Sequence, residues 1–211
     1  PDSFLVLGSN GFPDTISIEL PNRDAIPVQG SIVIQDTISR SVTVIGDINS
    51  DGSDDLMIGD PTSSRCFVYF GGENGDWSNL AVSFMITIED GSVLTKSGLG
   101  WAGAGLVDMN GDGYDDFIVT APLMNAAYVI YGRRTKMFLS RLVLSAMRAD
   151  QGYKITGGSQ DRNFGMAVSS GGDFNRDGYR DIVISATATR YSSQGVVYVL
   201  IGHNGRFTGP I

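Results

Sequence analysis

Short apolar runs recur along the chain in a fixed order, each closed by turn-forming residues. "SVTVIG" (41–46), "WAGAGLV" (101–107) and "GMAVSSGG" (165–172) are mainly small and apolar, and each leads into an acidic stretch. Behind each acidic stretch stands a second run: "LMIGDP" (56–61), "FIVTAP" (117–122) and "IVISAT" (182–187). A third run is β-branched and aromatic and ends in glycine: "CFVYFG" (66–71), "AYVIYG" (127–132) and "VVYVLIG" (196–202). The same type opens the chain as "SFLVLG" (3–8). A weaker fourth run is "SIVI" (31–34), "FMITI" (84–88) and "YKIT" (153–156). Such runs, bounded by Gly, Asn, Asp and Ser, predict strands. They give four strands per unit, A to D, with the acidic stretch between A and B. Asn10–Gly11, Asn74–Gly75 and Asn204–Gly205 follow three of the C strands. Both residues of an Asn-Gly pair tolerate positive φ, which predicts a chain reversal at each. "TISIEL" (15–20) and "FLSRLVLSAM" (138–147) fit either short helices or accessory strands.

The acidic stretches start at Asp47, Asp108 and Asp173, 61 and then 65 residues apart, the period of a repeat architecture. Four-stranded units repeated in this way predict an all-β chain of β-propeller blades, each covering its neighbour's face. A stacked solenoid is the alternative, but its coils are usually shorter. The expected blades are 1–37 (the end of one), 38–97, 98–162 and 163–211 (incomplete). About three and a half blades make a cramped ring, so the chain reads as a segment of a larger propeller.

The acidic stretches are "DINSDGSDD" (47–55), "DMNGDGYDD" (108–116) and "DFNRDGYRD" (173–181). Numbered from the first aspartate, acidic or amide side chains fall at positions 1, 3, 5 and 9. They are Asp47, Asn49, Asp51 and Asp55; Asp108, Asn110, Asp112 and Asp116; Asp173, Asn175, Asp177 and Asp181. Glycine holds position 6 as Gly52, Gly113 and Gly178, where the chain must turn sharply. Alternate oxygen donors around a tight turn converge, and a hard-oxygen set of net charge −3 suits Ca²⁺. Position 7 adds its backbone carbonyl, so Ser53, Tyr114 and Tyr179 differ freely. An EF-hand closes with Glu at position 12 between helices; here position 12 is Ile58, Val119 and Ile184, inside a strand. One acidic loop alone would be an ordinary Asp/Asn/Gly turn. Three with identical donor positions and strand flanks predict three calcium sites. Asp54 is left over, facing water.

Composition narrows the rest. The 211 residues are 42% hydrophobic and 18% charged, with 28 glycines, which is globular and turn-rich. A formal charge of −8 with no basic cluster larger than Arg133–Arg134–Lys136 argues against nucleic-acid binding. Three calcium ions bring −8 + 6 to −2. No apolar run of about 18 residues spans a membrane. The opening "PDSFLVLG" shows no signal peptide, so a mature product or a fragment is expected. Cys66 is alone, which excludes a disulfide within the chain, and reads as a small buried side chain. His203, the only histidine, reads as a turn residue.

"NFGMAVSSGGDFNRDGYRDIVISA" (163–186) resembles the FG-GAP repeat of integrin α-subunit propellers and of related secreted microbial proteins. Phe164–Gly165 matches the Phe-Gly opening, Leu99–Gly100 nearly so, and Ile38–Ser39 departs. The Gly-Ala-Pro close survives as Gly59-Asp60-Pro61, Thr120-Ala121-Pro122 and Ser185-Ala186-Thr187. The resemblance implies a seven-bladed extracellular propeller with calcium in several A–B loops on one face. Ligand and partner-subunit contacts would then lie on the opposite face, in loops 59–65, 120–126 and 185–195 (B–C) and 89–98 and 157–163 (D–A). The spacing after strand C and the single cysteine place the chain nearer the microbial or protist versions than animal integrins.

The function expected is a non-catalytic, calcium-stabilised extracellular module for adhesion or protein–protein assembly. The alternatives are an accessory propeller of a secreted hydrolase or lyase, and a carbohydrate-binding propeller. Trp77 and Trp101 are the candidates for sugar stacking, although Trp101, placed in strand A, reads as core. Arg133–Arg134 replaces the second Asn-Gly turn and reads as a solvated turn, with a docking contact as the alternative.

Overall fold

The computed structural model describes residues 3–6, 31–34, 40–72, 82–89, 96–138, 140–189 and 194–202. The chain divides into two compact units, Pro1–Ile38 and Ser39–Ile211. In the first, β1 (Ser3–Val6) pairs antiparallel with β2 (Ser31–Ile34), Ser3 opposite Ile34. The three Asn-Gly pairs, "TISIEL", Ile38–Ser39, Trp77 and His203 lie outside the described residues.

The second unit is built of sheets that are antiparallel but for one added strand, the blades of a partial β-propeller. The first sheet runs β3 (Ser41–Gly46), β4 (Asp55–Asp60), β5 (Arg65–Tyr69) and β6 (Phe84–Thr87) in chain order. The second holds β7 (Gly103–Val107), β8 (Asp116–Ala121), β9 (Ala126–Ile130) and β11 (Gly152–Thr156). The third holds β13 (Val168–Gly172), β14 (Asp181–Ala186) and β16 (Val196–Leu200). A small pair, β12 (Asp161–Arg162) with β15 (Ala188–Thr189), stands beside it in sequence.

Period-two alternation decides which side chain meets which sheet. In β8, Phe117 and Val119 join Met57, Val68, Phe84 and Ile86 of the first sheet in one core. Ile118, between them in sequence, joins Ile182, Ile184 and Leu200 of the third sheet in another. β8 is therefore buried at every position, because a neighbouring sheet covers each face. Burying each such large side chain stabilises the fold by about 1.5–3 kcal/mol relative to exposure.

The ambiguous segment 138–147 proves to be strand and turn in succession. β10 (Arg141–Val143) pairs parallel to β6, adding a fifth strand to the first sheet, and a 3-10 turn spans Leu144–Ala146. Phe138 anchors the crossing by stacking on Phe84 with centroids 4.6 Å apart. The second blade thus reaches back and clasps the edge of the first.

The two halves of the repeat motif meet across the seams between sheets. Gly59 backs directly onto Gly100, so a Cβ on Gly59 would overlap the Gly100 carbonyl oxygen and Ser41 Oγ. The Ser41 hydroxyl donates to that same carbonyl at 2.8 Å. At the next seam Gly165 (φ +95°) comes against Thr120, the equivalent of Gly59. We expect Gly59→Ala to cost about 2–3 kcal/mol by forcing the sheets apart, read as a lowered urea midpoint.

Each strand A carries a bulge just before its acidic loop, with register shifts at Val44/Gly46, Gly105/Val107 and Ser170/Gly172. The last residue of each is left-handed: Gly46 (φ 82°), Val107 (φ 62°) and Gly172 (φ 84°). Glycine tolerates this conformation, whereas a β-branched side chain is strained there. Val107 is half exposed and surrenders little packing. Val107→Gly is therefore expected to stabilise the chain by about 1 kcal/mol, measured as a raised Tm.

Candidate functional site

The acidic loops connect β3 to β4, β7 to β8 and β13 to β14, all at the same end of their sheets. In the first, the Asp47 carboxylate accepts from the N–H of Asp51 (3.0 Å) and of Gly52 (2.8 Å). Asn49 Oδ1 accepts from the same Asp51 N–H at 2.9 Å, and Asn49 Nδ2 donates to Asp51 Oδ2 at 2.8 Å. The side chains at positions 1, 3 and 5 are thereby gathered over one turn. The second loop repeats the pattern, with Asp108 accepting from Asp112 and Gly113 N–H at 3.1 and 2.8 Å. Asn110 and Asp112 are joined there at 2.9 Å. In the third, Asp173 accepts from Asp177 and Gly178 at 3.0 and 2.9 Å, and Asn175 donates to Asp177 at 2.7 Å.

The turn needs two left-handed residues, one more than sequence reasoning identified. Position 6 is Gly52, Gly113 or Gly178, with φ of 93°, 88° and 91°. Position 4 is Ser50, Gly111 or Arg176, with φ of 56°, 77° and 61°. The second loop, with glycine at both, is the least strained.

Position 9 stands apart from the other donors. Asp55 is 1% exposed, and its two oxygens accept from Ile48 N–H (2.9 Å) and Gly71 N–H (2.8 Å). Asp116 is 0% exposed and holds Met109 and Gly132 at 3.0 and 2.9 Å; Asp181 holds Phe174 and Gly202 at 2.6 and 2.8 Å. This carboxylate pins the start of the loop to the end of strand C, a role the donor count alone did not reveal. Burial pushes Asp55 and Asp116 up to about 7, against the opposing pull of their backbone N–H donors. A cation beside either carboxylate would lower it again.

Position 7 donates its N–H to position 5: Ser53 to Asp51 at 3.0 Å, Tyr114 to Asp112 at 3.1 Å and Tyr179 to Asp177 at 2.9 Å. The Ser53 hydroxyl turns away to Gly72 C=O at 2.9 Å. Among the described residues no three His, Cys, Asp or Glu side chains converge on one point. The donor sets nonetheless fit a hard divalent cation. Each loop brings together two carboxylates and an amide oxygen, with a third carboxylate at its foot.

The structure corrects two readings made outside the loops. Trp101 precedes β7 and is only half buried, with the Arg40 guanidinium 3.7 Å above its ring. Its partner is a cation and not the core. Arg133 is not a solvated turn residue. It is half buried, its side chain donates to Asp150 C=O at 3.1 Å, and its N–H bonds Ile48 C=O at 2.8 Å. Cys66 sits in the core, where burial drives its thiol far above the ordinary range.

Repeated antiparallel blades carrying acidic A–B loops define a β-propeller segment of integrin-like type. The FG-GAP repeat family matches residues 99–130 and 164–200, the second and third copies. Integrin alpha pat-2 of Caenorhabditis elegans is 28% identical over 178 residues, 76% of this chain and 13% of its own. Integrin alpha-V of Gallus gallus is 28% identical over 183 residues, covering 85% and 16%. Integrin alpha-4 of Xenopus laevis is 33% identical over 153 residues, covering 66% and 13%. The chain therefore carries FG-GAP repeats and is integrin α-like, and it spans only 13–16% of the length of these relatives. The expected leaning towards microbial or protist versions is not borne out, since the relatives matched here are animal integrins. Among the described residues no helix is long and apolar enough to cross a membrane.

Proposed function

We propose that the chain is an extracellular, calcium-stabilised propeller module for adhesion or protein–protein assembly, without catalysis of its own. The observation that carries this reading is the threefold recurrence of one donor arrangement at one end of consecutive blades. Asp47, Asn49, Asp51 and Asp55 would hold the first ion; Asp108, Asn110, Asp112 and Asp116 the second; Asp173, Asn175, Asp177 and Asp181 the third. Ser53, Tyr114 and Tyr179 would add their carbonyl oxygens. A bound Ca²⁺ neutralises the crowded carboxylates, and its binding free energy becomes folding free energy.

A protein partner is proposed for the opposite end of the blades. There the B–C and D–A connections lie together: Leu123 N–H bonds Ser97 C=O at 3.2 Å, and Asn125 Nδ2 donates to Asp161 C=O at 2.8 Å. Leu123 and Met124 are 59% and 37% exposed at this tip, an apolar pair suited to a protein contact. Beads coated with the chain should attach to cultured cells in calcium and detach in chelator. Leu123→Asp should abolish attachment with Tm unchanged. Attachment that survives both chelator and this substitution refutes the reading.

A further inference from the structure

The three loops, alike in sequence, differ in what joins them. Between the first and second, Asp47 and Asp115 form a reciprocal clasp. The Asp47 N–H donates to Asp115 Oδ2 at 3.0 Å, and the Asp115 N–H donates to Asp47 C=O at 3.3 Å. The Ser50 hydroxyl donates to Gly113 C=O at 2.7 Å, and Arg133 N–H reaches Ile48 C=O at 2.8 Å. The fit is close: a Cβ on Gly46 would overlap the Asp115 carboxylate.

No hydrogen bond among the described residues joins the second loop to the third. The reason lies at two positions. Position 8 is Asp115 in the second copy but Arg180 in the third, so no carboxylate reaches back. Position 4 of the second loop is Gly111, which lacks the hydroxyl of Ser50. Charge separates the loops as well. Residues 47–55 and 108–116 each carry four aspartates, a charge of −4, whereas 173–181 carries three with Arg176 and Arg180, giving −3 + 2 = −1.

We infer that the first two loops form a coupled cation-binding pair linked through Asp115, and that the third is an independent, weaker site. The inference rests on the calcium reading above. Asp115 is a positioning residue. It lies between the position-7 carbonyl and the position-9 carboxylate of the second loop, and its side chain fixes the backbone of Asp47, the first donor of the other loop. Ordering either loop thus pre-orders its neighbour, so binding at one raises affinity at the other by the same factor. Fewer net negative charges weaken calcium affinity at the third.

The glycine amides at position 6 report each loop separately, because Gly52, Gly113 and Gly178 each donate to their own position-1 aspartate. Calcium is titrated into the ¹⁵N-labelled 211-residue chain and the three amides are followed by NMR. In the native chain Gly52 and Gly113 should shift together, at lower calcium than Gly178. Asp115→Ala should raise the Gly52 midpoint about five- to tenfold and the Gly113 midpoint less. Asp115→Asn keeps an oxygen to accept from Asp47 and should restore the native Gly52 midpoint. Ser50→Ala, which removes only a surface hydroxyl, should raise the Gly52 midpoint about two- to threefold. An unmoved Gly52 midpoint in Asp115→Ala and Ser50→Ala, failure of Asn to rescue, or Gly178 shifting first overturns the coupling. Absence of any calcium shift in the native chain instead overturns the calcium reading itself.

Discussion

Asp116→Ala should destabilise the chain by about 3–5 kcal/mol, and it should do so in the presence of chelator. The carboxylate is fully buried and accepts from Met109 N–H on one side and Gly132 N–H on the other. Truncation leaves both donors buried without partners, and each unsatisfied donor costs about 1–3 kcal/mol. Their loss also frees the loop start from the end of strand C, so the second blade loosens where both other sheets pack on it. Asp116→Asn keeps one acceptor and should cost about half as much. Urea denaturation of both variants in chelator measures the effect. A loss that appears only in calcium would show that Asp116 acts solely as a ligand.

Calcium removal should be the second large effect. At free calcium a hundredfold above Kd, each site contributes about 2.7 kcal/mol to the folded state. Two well-occupied loops therefore contribute about 5 kcal/mol. For a unit of this size, 1 kcal/mol corresponds to a Tm shift of about 2–4 °C. Adding chelator to the calcium-loaded chain should thus lower Tm by about 10–20 °C. Asp51→Ala, Asp112→Ala and Asp177→Ala, each removing one position-5 donor, should lower the calcium-loaded Tm in steps, with Asp177→Ala the smallest. Melting curves that superimpose with and without calcium would remove the basis for the ligand assignment.

The strands were readable from the chain because their signals are local. Ser41–Gly46 and Ser31–Ile34 coincide with the runs read from sequence, and the B and C strands fall within a residue or two of theirs. A glycine-bounded run of β-branched residues carries its own propensity and its own punctuation. The segment 138–147 resisted assignment because its partner is β6, in another blade, and no local period records a parallel addition to a distant edge. Trp101 was misplaced for a related reason. Its environment is set by Arg40, 61 residues away in sequence, and not by its own strand.

The acidic loops divide in the same way. Positions 1, 3, 5 and 6 interact within five or six residues of one another, so their spacing displays their chemistry. The second duty of Asp55, Asp116 and Asp181 depends on the glycine at the end of strand C, 16 to 21 residues away. Asp115 was invisible for the opposite reason to the donors. Among the described residues one copy shows the clasp, and position 8 is Asp54, Asp115 and Arg180, so the repeat does not single it out as it does the other positions.

The central claim is that each acidic loop holds one calcium ion, and isothermal titration calorimetry of the chelator-treated, dialysed chain tests it most directly. The account predicts three bound calcium ions per chain, with one lost for each of Asp51→Ala, Asp112→Ala and Asp177→Ala. Absence of binding, or binding that persists unchanged when all three substitutions are combined, would contradict it.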